Sequence, residues 1–540
     1  MGASTSSLSF AKTYEAWATM VLPALVGCVL LIIYQAFFAI KYPANLPLAG
    51  EPRGKRTFSW RTRWRYYTDC EALYQETYEN YTKRGRAVLL PGLGFRHDII
   101  LPQSSMRNIM ARPEKELSHA DAVLELVQLK YALGHEKYKA DPWPCMLVKS
   151  DINAKLEAVC DGMNEELKYA FDKYIGCHTQ AWKEVNLLET IRMVMIAAAS
   201  RFTVGFPLCR NEEYLRACWK VNDGIVMNGG LTGATPRLLR PIFGLLVTMN
   251  LRRSIEQVKK QVEPIYRQRL QALSTRNGPE KPDREKPRDL FHRMLHYAQK
   301  ERPNELHDFS SMTRRLCFAN FAAVHQTTLL VTNMILNIVG SDSQYDTIPV
   351  LRNEVNNIIG PDSDAKWTKY KVAQMIKSDS VARETMRLHS NTTRGVFRKV
   401  LVEGIRTEDG IELPKGAYVS FLGRPLQCNP EDFEDPFKYD PFRFSRIREE
   451  APTDTNGRST MSNLSCVSTS PEHLPFGHGG HSCPGRFLVD FEVKMIVAYL
   501  LRNYDIGFPA EYNRQRPANR WMAETLMPPS GARIRVKRRS

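Results

Sequence analysis

The run Phe476-Gly477-His478-Gly479-Gly480-His481-Ser482-Cys483-Pro484-Gly485-Arg486 constrains this chain more than any other stretch of its 540 residues. Its glycines permit a kinked backbone and a close approach that a β-carbon would forbid. Pro484 and Gly485 lead directly into the apolar helical pattern of Arg486 to Leu501, which places Cys483 at the positive end of a helix. A metal-bound thiolate in a dry site needs that arrangement: backbone N–H groups aimed at the sulfur and a cover against water, here Phe476. Three rivals compete on this run alone. A zinc site from His478, His481 and Cys483 lacks a fourth ligand at the usual spacing. A phosphate loop would carry Lys followed by Ser or Thr after the glycines, and none follows. A glycine-rich turn before a helix, with no chemistry of its own, stays open.

Two upstream clusters narrow the choice. In Glu384-Thr385-Met386-Arg387 the three-residue spacing sets acid and base on one helical face. Tyr439-Asp440-Pro441-Phe442-Arg443-Phe444 adds a second arginine. Either cluster alone is as readily an ordinary ion pair. In this order, and together with the cysteine run, they resemble the E-x-x-R, F-x-P-x-R-F and F-G-x-G-x-H-x-C-x-G signatures of the cytochrome P-450 family, and the likeness extends over nearly the whole chain. That resemblance implies a mainly α fold with a small β-sheet region, preceded by one N-terminal transmembrane helix. It implies haem b as cofactor, Cys483 as axial ligand of the iron, and a structural triad of Glu384, Arg387 and Arg443. Phe476 then shields the sulfur, and His481 and Arg398 meet the haem propionates. Lys149, from an earlier helix, is a further propionate candidate whose plainer reading is a solvated lysine.

The chain also departs from the family. Where members carry A-G-x-D/E-T over the distal haem face, this sequence reads Ala322-Ala323-Val324-His325-Gln326, then Thr327 and Thr328. Histidine at the acid position recurs among filamentous-fungal members of secondary metabolism, and with an ordinary pKa near neutral His325 is a candidate proton relay. Gln326 stands in place of the threonine, and an amide orients water without readily passing a proton on. Either Thr327 takes over through a local π-bulge, or the enzyme does without the usual proton delivery, as in one-electron coupling of phenols or indoles. The candidate catalytic residues are therefore His325, Gln326 and Thr327. Ser390 replaces a common proline near the substrate pocket.

Ala16 to Ile40 carries no charge and exceeds the roughly 20 residues that a helix needs to cross a bilayer. Lys12 and Glu15 precede it, whereas Lys41, Arg53, Lys55, Arg56, Arg61, Arg63 and Arg65 follow, which puts the body on the cytosolic side. The chain divides into a tail (1–15), an anchor (16–40), a proline-stiffened hinge (41–50) and a catalytic domain (51–540). Within the body, Leu187 to Phe202 and Ile255 to Leu273 have helical period, and Ser274 to Arg288 reads as a charged linker. Leu316 to Val339 reads as a buried central helix, too interrupted by Asn320, His325 and Gln326 to face lipid. Thr368 to Leu388 is a further helix. Gly395 to Val402 and Ile411 to Phe421 are strands about an Asp409-Gly410 hairpin turn, and Arg446 to Glu472 is an exposed loop. There is no internal repeat.

Eleven scattered cysteines form neither a disulfide framework nor a zinc array, and read as reduced thiols. A formal charge of +17 suits an acidic surface, whether nucleic acid, lipid or a redox protein. The resemblance selects a lipid bilayer and an NADPH-dependent cytochrome P-450 reductase, with no nucleic acid among the partners. The function it implies is dioxygen-dependent monooxygenation of a hydrophobic small molecule in fungal secondary-metabolite biosynthesis, at the endoplasmic-reticulum membrane. The alternatives are oxidative coupling or cyclisation without oxygen insertion and, from another class, a haem-binding carrier or sensor.

Overall fold

Apolar residues repeating at helical spacing give this chain a scaffold of long packed helices, with sheet confined to its edges. The computed structural model describes residues 40–149, 156–274, 289–360, 366–452 and 461–539. The helices that matter below are α1 (Trp60–Thr68), α2 (His119–Val127), α3 (Leu156–Tyr174), α4 (Leu187–Thr203), α5 (Glu212–Ala234), α6 (Arg240–Val247), α7 (Met249–Ser274), α8 (Phe309–Tyr345), α9 (Ile376–His389), α10 (Arg443–Glu450) and α11 (Arg486–Asn503). The central helix α8 packs against α4, α5, α7, α9 and α11. Its apolar side chains, among them Leu316, Val331, Ile335 and Leu336, lie in the main core. By length and composition α8 could cross a membrane, but most of it is buried within the protein.

The larger sheet has the order β1-β2-β8-β5-β3, formed by Val88–Pro91, His97–Ile100, Tyr418–Leu422, Arg394–Val400 and Leu117–Ser118. A second sheet joins β4 (Lys183–Asn186), β12 (Arg533–Arg538) and β9 (Tyr504–Gly507). The Asp-Gly signal is realised as a small hairpin, Ile405–Arg406 against Glu412–Leu413, in which Gly410 adopts φ +80°. Residues 43–50 lie along the first sheet. The Leu89 N–H donates to Pro47 O (2.9 Å), Ala49 N–H donates to Leu89 O (2.9 Å), and Leu46, Leu48 and Ala49 are buried.

Two expectations from the sequence need correction. The helix read over Thr368 to Leu388 is two, Lys369–Gln374 and α9, broken at Met375. Distant Glu354 caps the second piece by accepting the N–H groups of Lys377 (2.6 Å) and Ser378 (2.8 Å). The exposed loop read over Arg446 to Glu472 begins as part of α10, and its later part is docked. Cys466 is buried and donates its N–H to Asp379 (2.9 Å), while Ser465 O accepts from Arg383 (2.6 Å). Polar composition misled here because this backbone serves as hydrogen-bond partner to buried charges. The anchor, apart from Ile40, and the linker after Ser274 lie outside the described residues.

Candidate active site

The cysteine loop closes on itself before α11 begins. Cys483 N–H donates to Phe476 O (2.8 Å) and Gly477 N–H to Leu474 O (2.8 Å). Gly477 and Gly479 sit at φ +68° and +69°, where a side chain would be strained. The turn aims the N–H groups of Gly485 and Arg486 at the Cys483 sulfur, and both favour its anionic form. Burial acts first and in the opposite sense, and raises the thiol pKa overall. Cys483 nevertheless keeps intermediate exposure. A side chain that is deep and still accessible lines an interior cleft.

The central helix has the same character. Along the largely buried α8, Ala322 and Gln326 are exposed and Phe318 and Leu330 are half-buried. Four-residue spacing puts these on one face, so the middle of a core helix presents an accessible stripe. A sulfur position backed by N–H groups and an accessible, mostly apolar stripe in the core fit a flat, hydrophobic, thiolate-bound cofactor such as haem.

A polar rim completes the cleft. Strand β5 shifts register between Gly395 and Arg398, and Val396 adopts φ +55°, a strained value for a β-branched residue. Such a bulge re-aims the side chain that follows it. The buried Arg398 guanidinium donates to Phe397 O (2.8 Å) and lies 3.4 Å from His119 Nδ1, and burial lowers its pKa. The rings of His119 and His481 stand 5.2 Å apart, and His481 Nε2 is 3.4 Å from Glu114. Arg398 and His481 thus each lie beside His119. Lys149 is exposed at the end of the short helix Trp143–Leu147. Phe476 is half-buried against the main core.

The charged triad forms with full geometry. Arg387 grips Glu384 bidentately (2.7 and 2.8 Å), and Arg443 Nε reaches the same carboxylate (3.2 Å). The remaining Arg387 donor serves Gln427 O and Pro436 O, and Arg443 serves Glu434 O, so no positive charge is left without acceptors. Glu384 and Arg387 are almost wholly buried.

On the distal helix, burial and the charge of Arg192 push His325 down to about 4. It is therefore neutral through the physiological range and does not titrate within it, contrary to the near-neutral value expected of an exposed imidazole. Its ring stacks on Phe321 (5.6 Å). Arg192 is held by Asp223 (3.5 Å), which also accepts from Trp219 (2.7 Å). No π-bulge is present: α8 runs as regular α-helix through this stretch, and Thr327 Oγ1 donates to Ala323 O, one turn back (3.1 Å). Thr327 is buried and does not rotate into the position of Gln326.

Sequence reasoning passed over His119, Glu114, Asp223 and Arg192, which belong to no short motif and meet the site only through the fold. It also passed over a buried ionic knot that joins α11 to α9 and α10. There Lys494 Nζ bonds Asp379 (2.9 Å) and Asp490 (2.7 Å), and Arg448 bonds Asp379 (2.6 Å). Asp379, Cys466 and Asp490 have ligand atoms close enough to hold a metal, but the ammonium of Lys494 already bonds both carboxylates.

Comparison with known proteins agrees with this geometry. The Cytochrome P450 family model matches residues 145–536. Cytochrome P450 monooxygenase pbrC of Penicillium brasilianum is 85% identical over 540 residues, 100% of both chains. Cytochrome P450 monooxygenase astC of Aspergillus terreus is 83% identical over 540 residues, again 100% of both. Cytochrome P450 monooxygenase tenB of Beauveria bassiana is 45% identical over 502 residues, 92% of each chain.

Proposed function

This chain belongs to the cytochrome P450 family, and on that premise we propose that Cys483 is the axial thiolate of its haem b, with Arg398, His119 and His481 at the propionates. The protein is a haem-thiolate monooxygenase of the fungal secondary-metabolism type, acting on a hydrophobic substrate. When bound, the haem supplies the redox-active iron at which dioxygen is activated. What the protein contributes is the frame around it. The N–H groups of Gly485 and Arg486 hold negative charge on sulfur, and the ion-paired Glu384 pins α9 to the segment before α10. The α8 stripe from Phe318 to Leu330 offers an apolar floor for substrate, with Gln326 as its polar point.

The observation that carries this reading is the cysteine held at the start of α11 by its own glycine-kinked loop. A reduced, carbon-monoxide-bound absorption spectrum tests it: a red-shifted thiolate Soret band in the protein and its loss in Cys483→Ser support it. Absence of the band from the unaltered protein overturns it.

Substrates in our reading are polyketide, terpenoid or alkaloid intermediates, and electrons arrive from an NADPH-dependent reductase docked on the basic surface. We place the chain at the endoplasmic-reticulum membrane, anchored once through residues 16–40 with the body in the cytosol. Support comes from α6 and its flanks, where Leu238, Ile242, Phe243, Leu245, Leu246 and Met249 are all exposed. Gln326 on the accessible stripe favours a second reading, oxidative coupling without oxygen insertion. Label from dioxygen found in the product excludes coupling, and its absence excludes insertion.

A further inference from the structure

Helix α1 leaves large aromatic side chains in the open. Trp60, Trp64 and Tyr67 are exposed along it, and Phe95, from the turn Leu93–Phe95, is exposed beside them with its ring 6.4 Å from that of Trp60. Together with Arg63 and Pro91 they line a surface cavity of about 110 Å³ to which no acidic side chain contributes. Pockets for drug-sized molecules measure roughly 300–1,000 Å³. This one has room for a phosphate-sized group and too little for a substrate.

Arg63 stands among these rings without a counter-ion. Its guanidinium lies 5.2 Å from the ring centre of Phe95 and 5.7 Å from that of Phe58, and Nη2 is 2.8 Å from His97 Nε2. The guanidinium is the donor in that contact, because burial and Arg63 itself hold His97 down at about 4 and so neutral. Nearby Lys55 and Arg65 are paired, with Glu51 and Glu76. Arg53, Arg56, Arg61 and Arg63 have no carboxylate partner among the described residues, and the first three are exposed. A half-buried cation among aromatic rings that lacks an anion of its own favours one from outside. The planar fork of guanidinium donors matches phosphate oxygens bidentately.

Contacts on either side fix where this cavity lies. The Tyr42 hydroxyl, just beyond Ile40, donates to His97 O (2.7 Å), so the cavity adjoins the point where residues 16–40 enter the domain. On the other side the turn Leu93–Phe95 packs against α5, so closely that a β-carbon on Gly94 would stand 2.5 Å from Gly233 O. Helix α5 leads in turn to the exposed apolar face of α6. Trp and Tyr favour the membrane–water boundary, and arginines beside a span meet anionic head groups. We propose that Arg63, walled by Trp60, Trp64, Tyr67 and Phe95, binds the phosphate of an anionic phospholipid and so seats the domain on the bilayer between its anchor and α6. This rests on the membrane reading given above. A choline head group would bring a second cation beside Arg63 with no carboxylate to balance it, so the site discriminates against zwitterionic lipid.

The test uses the full-length holoenzyme in phosphatidylcholine vesicles doped with a photoactivatable lipid, either phosphatidic acid or phosphatidylcholine, and identifies the labelled peptides by mass spectrometry. Residues 60–67 and 93–95 should be labelled about fivefold more by the phosphatidic acid, the effect of one arginine near an anionic surface. Arg63→Gln should erase that preference and keep the thiolate carbon-monoxide spectrum, and Arg63→Lys should retain part of it. Labelling of residues 16–40 reports the anchor separately, so the site stands or falls on 60–67 and 93–95 alone. Equal labelling by the two lipids, no labelling by either, or a preference that survives Arg63→Gln overturns the proposal. Erasure of the preference by inorganic phosphate also overturns it, by revealing a site for free anions. Should Arg63→Gln fail to fold, Trp60→Ala and Trp64→Ala, at exposed positions, should each lower the labelling of 93–95 by phosphatidic acid. Unchanged labelling in both overturns the proposal equally.

Discussion

Helix α11 presents two opposed electrostatic designs on its two sides. Asp490 and Lys494, one turn apart, meet Asp379 of α9 and, through it, Arg448 of α10 in a knot in which the ammonium is shared by two carboxylates and the carbonyl of Val372. Glu492 lies on the side toward α8 and α3, near the Thr327 hydroxyl and the Cys160 thiol, where burial dominates its titration. Two ionisable groups of similar depth therefore differ in state. Burial alone would strip the charge from Lys494, but its carboxylate partners more than restore it, whereas Glu492 keeps its proton. The ionic side ties α11 to α9 and α10, and the neutral side holds an uncharged acid.

The largest effect is expected from breaking the ionic design. Arg387→Ala leaves the buried Glu384 carboxylate with Arg443 as its one cationic partner, beside the Asp440 N–H, and should destabilise the fold by about 3–5 kcal/mol in urea titrations, with loss of haem retention. Lys494→Met strands Asp379 and Asp490 in the interior and should cost about 3 kcal/mol, somewhat less because Arg448 still holds Asp379. The neutral side should respond to pH. The folded-state pKa of Glu492 lies above its unfolded value, so the stability it allows is whole below pH 4.5 and is lost as pH rises toward 8. The melting temperature of Glu492→Gln should accordingly gain on that of the unaltered protein between those values, and a constant gap would break the contrast. His325 is the mirror case: its folded pKa of about 4 is depressed from 6.5, so its contribution is present above pH 6.5 and is lost on acidification toward 4. His325→Gln should flatten that part of the melting profile. The smallest effect on folding belongs to the exposed face of α6, where Leu246→Ser should change stability by no more than about 0.5 kcal/mol yet weaken sedimentation with anionic vesicles.

The contrast also explains what the sequence disclosed. Glu384, Arg387 and Arg443 were legible because fixed spacing on one helix and a short proline motif identify them, and the structure closes their triad. The cysteine loop was legible because glycines at positive φ admit few substitutes. Central helix and hairpin followed from period and from Asp-Gly. Glu492 was hidden within Arg486 to Leu501, where a single acid in an apolar helix looks like either a surface charge or an ion-pair partner. Its state depends on what α8 and α3 bring to it, which no local pattern encodes. His119 was missed for the same reason, since Arg398 and His481 are remote from it in sequence. The Ser/Thr-rich stretch before Glu472 failed oppositely: composition said solvent, whereas its backbone is committed to Asp379 and Arg383.

The docking of residues 43–50 on the first sheet has a practical corollary. Leu46, Leu48 and Ala49 are interior residues, and Pro47 and Ala49 exchange backbone hydrogen bonds with Leu89. A truncation made to obtain a water-soluble enzyme should therefore stop short of Ile40. Cutting at the end of the proline segment, where composition suggests a dispensable leader, would peel an edge from the sheet that carries Arg398.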